Sequence, residues 1–325
     1  MPSVPVLIHE SQFPENVRRD LMASLRSRAV NHKFHYDSVK QTQKWLALHQ
    51  QFSPARYDKN CRAIYDQSFR AAAAEISSKN VHLIGLGCGG GQKDTRLLKL
   101  LKDAGKTIFY TPSDVSAAMV LTARKAALAV LPEKNCFPLV CDLATAKNPG
   151  DAFSSRLMPR ASRLLTFFGM IPNFEPQEIL PKLAALVRPK DTLLFSANLA
   201  PGRDYAVGVK KILPQYDNPL TRDWLMTFLT DLGVEPSDGQ LRFEIETTSI
   251  GLKRIVAAFH FRRSRRIKVA DENFYFAKGA KIRLFFSYRY TPSLITKILA
   301  RYKLKVTTEW IAKSQEEAVF LCRSI

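Results

Sequence analysis

The sequence has no uninterrupted apolar run near the roughly 20 residues that a membrane-spanning helix requires, and its polar first segment, Met1 to Arg28, has no signal-peptide core. Both point to a cytoplasmic location with no membrane partner. Cysteine is sparse: Cys61, Cys88, Cys136, Cys141 and Cys322 are scattered, with no C-x-x-C pair and no histidines at ligand spacing. That excludes a zinc ribbon and a disulfide framework, and no metal site is expected. Internal repeats and low-complexity tracts are missing as well. Acidic residues are few beside basic ones, 29 against 49, which leaves a net charge of +20.

An excess of that size raises the question of an anionic partner. Part of it is concentrated in one stretch: Lys253, Arg254, Arg262, Arg263, Arg265, Arg266 and Lys268. Together with the apolar run Ile255 to Phe261, the stretch reads as a strand continuing into a basic, solvated edge that discourages edge-to-edge pairing. A nucleic-acid surface is the less favoured reading, because the aromatic interleaving of single-strand binders is absent.

With 325 residues and 46% hydrophobic content, the chain can form a large α/β domain with an elaboration, or two modest domains. Helical spacing runs from Pro14 to Arg28 and from Ala63 to Ser77. Next, Val81 to Leu86 is a short apolar run entering a glycine-rich turn, Gly87-Cys88-Gly89-Gly90-Gly91, before the helical segment Lys93 to Leu101. Four more strand candidates follow: Thr107 to Thr111, Phe137 to Cys141, Ser162 to Phe168 and Thr192 to Ala197, alternating with helical stretches such as Ala117 to Val130. That alternation predicts a parallel, doubly wound sheet. The register then breaks. Residues 200 to 285 hold a helix around Trp224, Leu225, Phe228 and Leu229, then strand-like runs Leu241 to Ile250, Arg254 to Phe261 and Phe274 to Phe286. A closing helix, Pro292 to Tyr302, and strands Val306 to Ala312 and Ala318 to Cys322 set the preceding insertion apart as a separate lobe.

Ligands of open parallel sheets bind beyond the carboxyl ends of the strands. At the first end, Gly87 and Gly89 let the backbone approach a ligand, and the next helix offers free N–H groups. This suits a dinucleotide pyrophosphate or the amino-acid end of S-adenosylmethionine, and a plain tight turn is the bland alternative. At the second end Asp114 stands 25 residues after Gly89, where an acid takes ribose hydroxyls; it could equally cap the next helix, with Ser116 also available. At the third, Asp142 and Leu143 suit an adenine amino group and ring face, favouring an adenosine ligand without pyrophosphate. The fourth end, Phe168 to Phe174, presents Asn173, although Pro172-Asn173 is also an ordinary turn signal.

Phe34-His35-Tyr36-Asp37, Ser53-Pro54-Ala55-Arg56, Leu86-Gly87-Cys88-Gly89 with Lys93, Pro112-Ser113-Asp114-Val115-Ser116, Cys141-Asp142-Leu143, Gly169 to Asn173, Tyr216-Asp217 and Phe286-Ser287-Tyr288-Arg289-Tyr290-Thr291 occur in an order and spacing that resembles the histidine-specific N-methyltransferase family. The resemblance implies an α/β fold, a Rossmann-like class I methyltransferase sheet with a second, discontinuous α+β substrate-binding lobe. Residues 1–60 plus 200–285 would form that lobe, and 61–199 plus 286–325 the domain for S-adenosylmethionine. Gly87, Gly89, Lys93, Asp114, Val115, Asp142 and Leu143 would contact this cofactor. Tyr36, Asn173, Tyr216, Phe285 and Ser287 would line the acceptor pocket, with Tyr36 and Asn173 positioning the acceptor for catalysis. The implied partner is a small-molecule amine or amino acid, and the implied state a monomer.

The departures from the family are informative. Phe285 stands where a glutamate would hold the amino group, and Phe52 where a tyrosine would stand. Losing a carboxylate that pairs with a cationic amine weakens binding by on the order of a few kcal/mol, so the expected acceptor is not histidine itself. Gly85 replaces the acid before the glycine turn, so the amino end of the cofactor is expected to be held differently. Two rivals remain open: an RNA or protein methyltransferase using the basic surface, and a protein that binds S-adenosylmethionine without activity.

Overall fold

The computed structural model describes residues 3–154 and 157–325, the side chain of Ala55 excepted. In chain order the strands are Leu7–Ile8 (β1), Asn80–Leu86 (β2), Thr107–Asp114 (β3), Leu139–Val140 (β4), Ser162–Phe167 (β5), Thr192–Asn198 (β6), Gly239–Thr247 (β7), Lys253–Phe261 (β8), Arg265–Val269 (β9), Glu272–Phe276 (β10), Lys281–Arg289 (β11), Leu304–Ile311 (β12) and Glu317–Ser324 (β13). They fall into two compact units. The first is Met1–Phe13, Pro54–Leu199 and Tyr290–Ile325; the second is Pro14–Ser53 and Ala200–Arg289.

The first unit is a mixed sheet in the order β1-β4-β3-β2-β5-β6-β13-β12. Pairing is parallel from β1 through β6, and the closing strands β13 and β12 run antiparallel. All five apolar runs expected to be strands lie in the parallel part, together with the two-residue β1. In β2 every residue from Val81 to Leu86 is buried, as happens when both faces of a parallel strand are covered by helices. The helix Gln92–Asp103 turns Leu97, Leu98 and Leu101 into the core beside Val81, Leu83, Leu164, Leu194, Val319 and Leu321.

The second unit is an antiparallel sheet, β11-β8-β7, and a separate β9–β10 hairpin, with the helices Pro14–Ser27, Val39–Phe52, Tyr205–Ile212 and Pro219–Asp231. Its core joins Leu25, Phe34, Trp224, Leu225, Phe228, Phe259, Phe261, Phe276 and Ile282. Two expectations are corrected here. The run Phe274 to Phe286 is not one strand: Ala277 to Ala280 turn the chain, with Gly279 at φ +87° and the Ala280 N–H donating to the Ala277 carbonyl. The stretch Lys253 to Lys268 holds the expected strand, Lys253–Phe261, and exposed basic residues after it, but it is not one strand running to a sheet edge. β8 is the middle strand of its sheet, and the basic residues after it begin the hairpin. Arg263 and Arg265 there converge on Oδ1 of Asp238, each at 2.5 Å, so the fully buried Asp238 carboxylate neutralises part of the basic run.

Candidate active site

In the first unit, the tips of β2, β3 and β4 lie side by side. The turn after β2 places Gly87, Gly89 and Gly91 at φ +65°, +52° and +75°, a region that costs other L-residues about 1–2 kcal/mol each. A Cβ on Gly87 would stand 2.1 Å from Sδ of Met170, beyond β5, so a side chain there would have to displace that methionine. Asp114 ties the first two tips together: Oδ2 accepts the Gly89 N–H at 3.0 Å and Oδ1 the Ser116 N–H at 3.1 Å. Burial pushes its carboxyl up to about 6, against the pull of those N–H groups. The helix that follows is capped by Ser116, whose hydroxyl accepts the Met119 N–H; Val115 between them is half-buried.

Asp142, just past β4, is buried and organises its own turn. Its Oδ1 accepts the N–H groups of Ala144 and Thr145, and its Oδ2 accepts the Thr145 hydroxyl at 2.8 Å. Leu143 beside it is buried. Asn173 ends the short helical turn Ile171–Asn173 beyond β5, half-buried, and Gly169 at φ +68° steers the chain there.

Lys93 follows on the first turn of the helix Gln92–Asp103. Its ammonium donates to the Tyr65 hydroxyl at 2.6 Å and lies 3.4 Å from Glu317 Oε1, with the Tyr65 ring centroid 4.0 Å away. Tyr65 donates to the same carboxylate oxygen, and the Cys61 thiol donates to the other at 3.3 Å. Sequence reasoning missed this network, and it missed Asp94. Asp94 is 3% exposed and accepts from the Tyr110 hydroxyl at 2.8 Å and the Thr166 hydroxyl at 2.9 Å.

The second unit brings Tyr36, Tyr216, Phe285 and Ser287 into one cluster, and the cause is a bulge. Register in β11 slips between Arg283 and Phe285, leaving Leu284 out of the ladder, and its carbonyl accepts Nε2–H of His35 at 2.6 Å. Beyond the bulge, Phe285, Ser287 and Arg289 alternate onto one face. Tyr216 meets that face: its ring centroid is 6.2 Å from Phe285, its hydroxyl donates to Ser287 Oγ at 2.7 Å, and it accepts from Arg289 Nη2 at 2.7 Å.

Around Phe285 the rings of His32 and Trp224 lie at 5.9 and 5.7 Å, and Tyr36 contacts His32, Trp45 and Trp224 at 4.8, 5.8 and 5.6 Å. Burial holds both imidazoles neutral, His35 down to about 4 and His32 well below its ordinary value. The unit therefore presents a neutral aromatic wall beside a polar corner of Tyr216, Ser287 and the guanidinium of Arg289. Among the described residues no cluster of three or more His, Cys, Asp or Glu could hold a metal ion, and no helix is long and apolar enough to cross a membrane.

Comparison with known proteins adds the following. A family model described as histidine-specific methyltransferase, SAM-dependent, matches residues 17–324. The N-methyltransferase imqF of Aspergillus flavus is 25% identical over 240 residues, which cover 72% of this chain and 65% of that protein; the chain thus spans somewhat under two thirds of this curated relative. Similar solved structures include the magnesium protoporphyrin IX methyltransferase of Synechocystis with bound SAH, at 15% identity and TM-score 0.44, covering 88% of this chain and 95% of that one. Another is the 1,6-didemethyltoxoflavin-N1-methyltransferase of Burkholderia thailandensis, at 11% identity and TM-score 0.39, covering 87% and 90%.

Proposed function

The chain belongs to the SAM-dependent, histidine-specific methyltransferase family, and from that premise we propose that it N-methylates a small, amino-acid-like amine other than histidine, one carrying an aromatic or apolar group. The observation that carries this reading is Phe285 itself, whose ring is surrounded by those of His32, Tyr216 and Trp224. The Aspergillus relative, an N-methyltransferase, is in line with a nitrogen acceptor.

When bound, S-adenosylmethionine supplies an electrophilic methyl group on a sulfonium. The strand tips are where an adenosyl ligand would be held: Gly87 and Gly89 would clear space for it, Asp114 would accept from its sugar hydroxyls, and Asp142 with Val115 and Leu143 would hold its base. Lys93 serves this set indirectly, by holding Tyr65 and Glu317. Tyr36 and Phe285 would lie against the acceptor's apolar part. Tyr216 and Ser287, backed by Arg289, receive its anionic end. Methyl transfer needs an unprotonated nitrogen, and an aromatic wall favours the free amine because desolvation disfavours the charged ammonium. Alignment then provides most of the acceleration, as effective molarities of on the order of 10⁵ M and above allow, and the proton is released to water after the N–C bond forms.

A transfer assay by mass spectrometry, run over histidine, aromatic amino acids and aliphatic amines, tests the proposal. Histidine is expected to give kcat/KM at least about 100-fold below the best aromatic acceptor, a difference of about 2.7 kcal/mol. Histidine as the best substrate would overturn it. Tyr36→Phe and Tyr36→Ala both leaving turnover intact would remove Tyr36 from the site.

A further inference from the structure

Gly85 lies within β2, in register with Pro112 of β3 and Thr166 of β5. Unlike the glycines of the turn, it has ordinary strand geometry, so its backbone would accept any residue. What excludes a side chain there is a carboxylate: a Cβ on Gly85 would stand 2.2 Å from Asp94 Oδ2 and 3.2 Å from the Tyr110 hydroxyl. Asp94, on the first turn of the helix Gln92–Asp103, thus fills the space over Gly85.

The surroundings of this carboxylate differ from those of the other acids in the unit. Asp114 and Asp142 accept backbone N–H groups of the strand-end turns, and Glu317 has Lys93. Asp94 is hydrogen-bonded by two neutral hydroxyls, one on each oxygen; among the described residues no cation lies within ion-pair distance of it, and Lys93 acts on it only through its field. The lysine next to it in sequence turns to Tyr65 and Glu317 instead. A buried carboxylate with no cation in direct contact is costly, and each oxygen retains acceptor capacity. Tyr110 and Thr166 fix its orientation.

We propose that Asp94 is the residue that receives the α-ammonium of S-adenosylmethionine, a charge partner delivered from the helix after the glycine turn instead of from the strand before it. The inference rests on the reading that the methionine end of the cofactor lies at that turn. Burial, which pushes the Asp94 carboxyl up to about 6, is offset when a cation arrives beside it.

Isothermal titration with two probes tests this: S-adenosylhomocysteine, which carries the ammonium, and 5′-methylthioadenosine, which lacks the whole amino-acid tail. Asp94→Asn is expected to raise the Kd for S-adenosylhomocysteine at least about tenfold, or about 1.4 kcal/mol, and to leave that for methylthioadenosine within about twofold. Because the second probe reports a folded site, misfolding cannot imitate the result. The double variant Gly85→Asp with Asp94→Gly, which returns the carboxylate to the strand, is expected to regain S-adenosylhomocysteine affinity relative to Asp94→Gly alone. Equal losses for both probes, or none for either, would overturn the proposal and leave Asp94 a structural acid. Wild-type protein binding neither probe would instead refute the cofactor-site reading, and this inference with it.

Discussion

Glu317→Gln removes the charge at the centre of the Cys61–Tyr65–Lys93–Glu317 network while keeping its shape. Glu317 is 8% exposed; one oxygen accepts from Tyr65 and faces Lys93 at 3.4 Å, and the other accepts from the Cys61 thiol. At that separation the gross attraction is about 5 kcal/mol for an effective dielectric constant near 20, and most of it is offset by desolvating both ions. What survives is of the size of hydrogen bonds to a charged acceptor, so the expected loss is about 2–3 kcal/mol near neutral pH. The pH dependence gives a second handle. Lys93, followed by the hydrogen bonds of Tyr65 and Cys61, outweighs burial and holds the Glu317 carboxyl below its ordinary 4.5. A depressed carboxyl contributes its full stability above the unfolded value and loses it as pH falls through the folded one. Urea unfolding followed by circular dichroism at about pH 7 and about pH 3.5 should therefore show a wild-type advantage that shrinks in acid. A loss under about 0.5 kcal/mol near neutrality, or one that does not shrink, would refute the reasoning.

Three further outcomes are expected. Gly91 and Gly105 have nearly the same φ, +75° and +74°, yet a Cβ on Gly91 would stand 2.7 Å from the Ala123 backbone and one on Gly105 would meet nothing. Gly105→Ala should thus cost about 1 kcal/mol and Gly91→Ala measurably more in the same urea experiment. Asp238→Asn frees Arg263 and Arg265 and should lower Tm near neutrality. Because hydrogen bonds from Arg265, the Glu235 N–H and Arg263 hold that carboxyl down to about 2, the deficit should fade as pH drops from about 4 toward 2. Tyr216→Phe breaks the links to Ser287 and Arg289 and should destabilise by about 1.5–3 kcal/mol, measured by chemical denaturation.

The parallel part of the sheet was legible because its strands are short, mostly apolar runs, and those of β2, β3, β4 and β5 lead into a glycine or an acid at the carboxyl end. The single run drawn from Phe274 to Phe286 failed for the converse reason. Its turn, Ala277-Lys278-Gly279-Ala280, carries one glycine and no Asn, Asp or Pro, so the apolar residues on either side read as continuous. Tyr216, Phe285 and Ser287 were named through a family resemblance, while what gathers them is the bulge at Leu284, a register fault between β11 and β8 that leaves no local mark. Glu317 was invisible as a partner of Lys93 because the two meet across 224 residues, and nothing in the sequence separates it from the adjacent Glu316.

Gly85 shows how a position can be read accurately in sequence and still mislead. The missing acid is a true absence along the chain, yet Asp94, nine residues on, fills the same space because the glycine turn folds the next helix back over the strand it left. The two positions are coupled by volume: a side chain at 85 and a carboxylate from 94 compete for one place. An acid introduced at Gly85 alone should therefore harm the fold, however well it matches a family pattern, while the paired exchange should be tolerated. Comparisons made column by column score that exchange as two unrelated changes, whereas the packing makes it one.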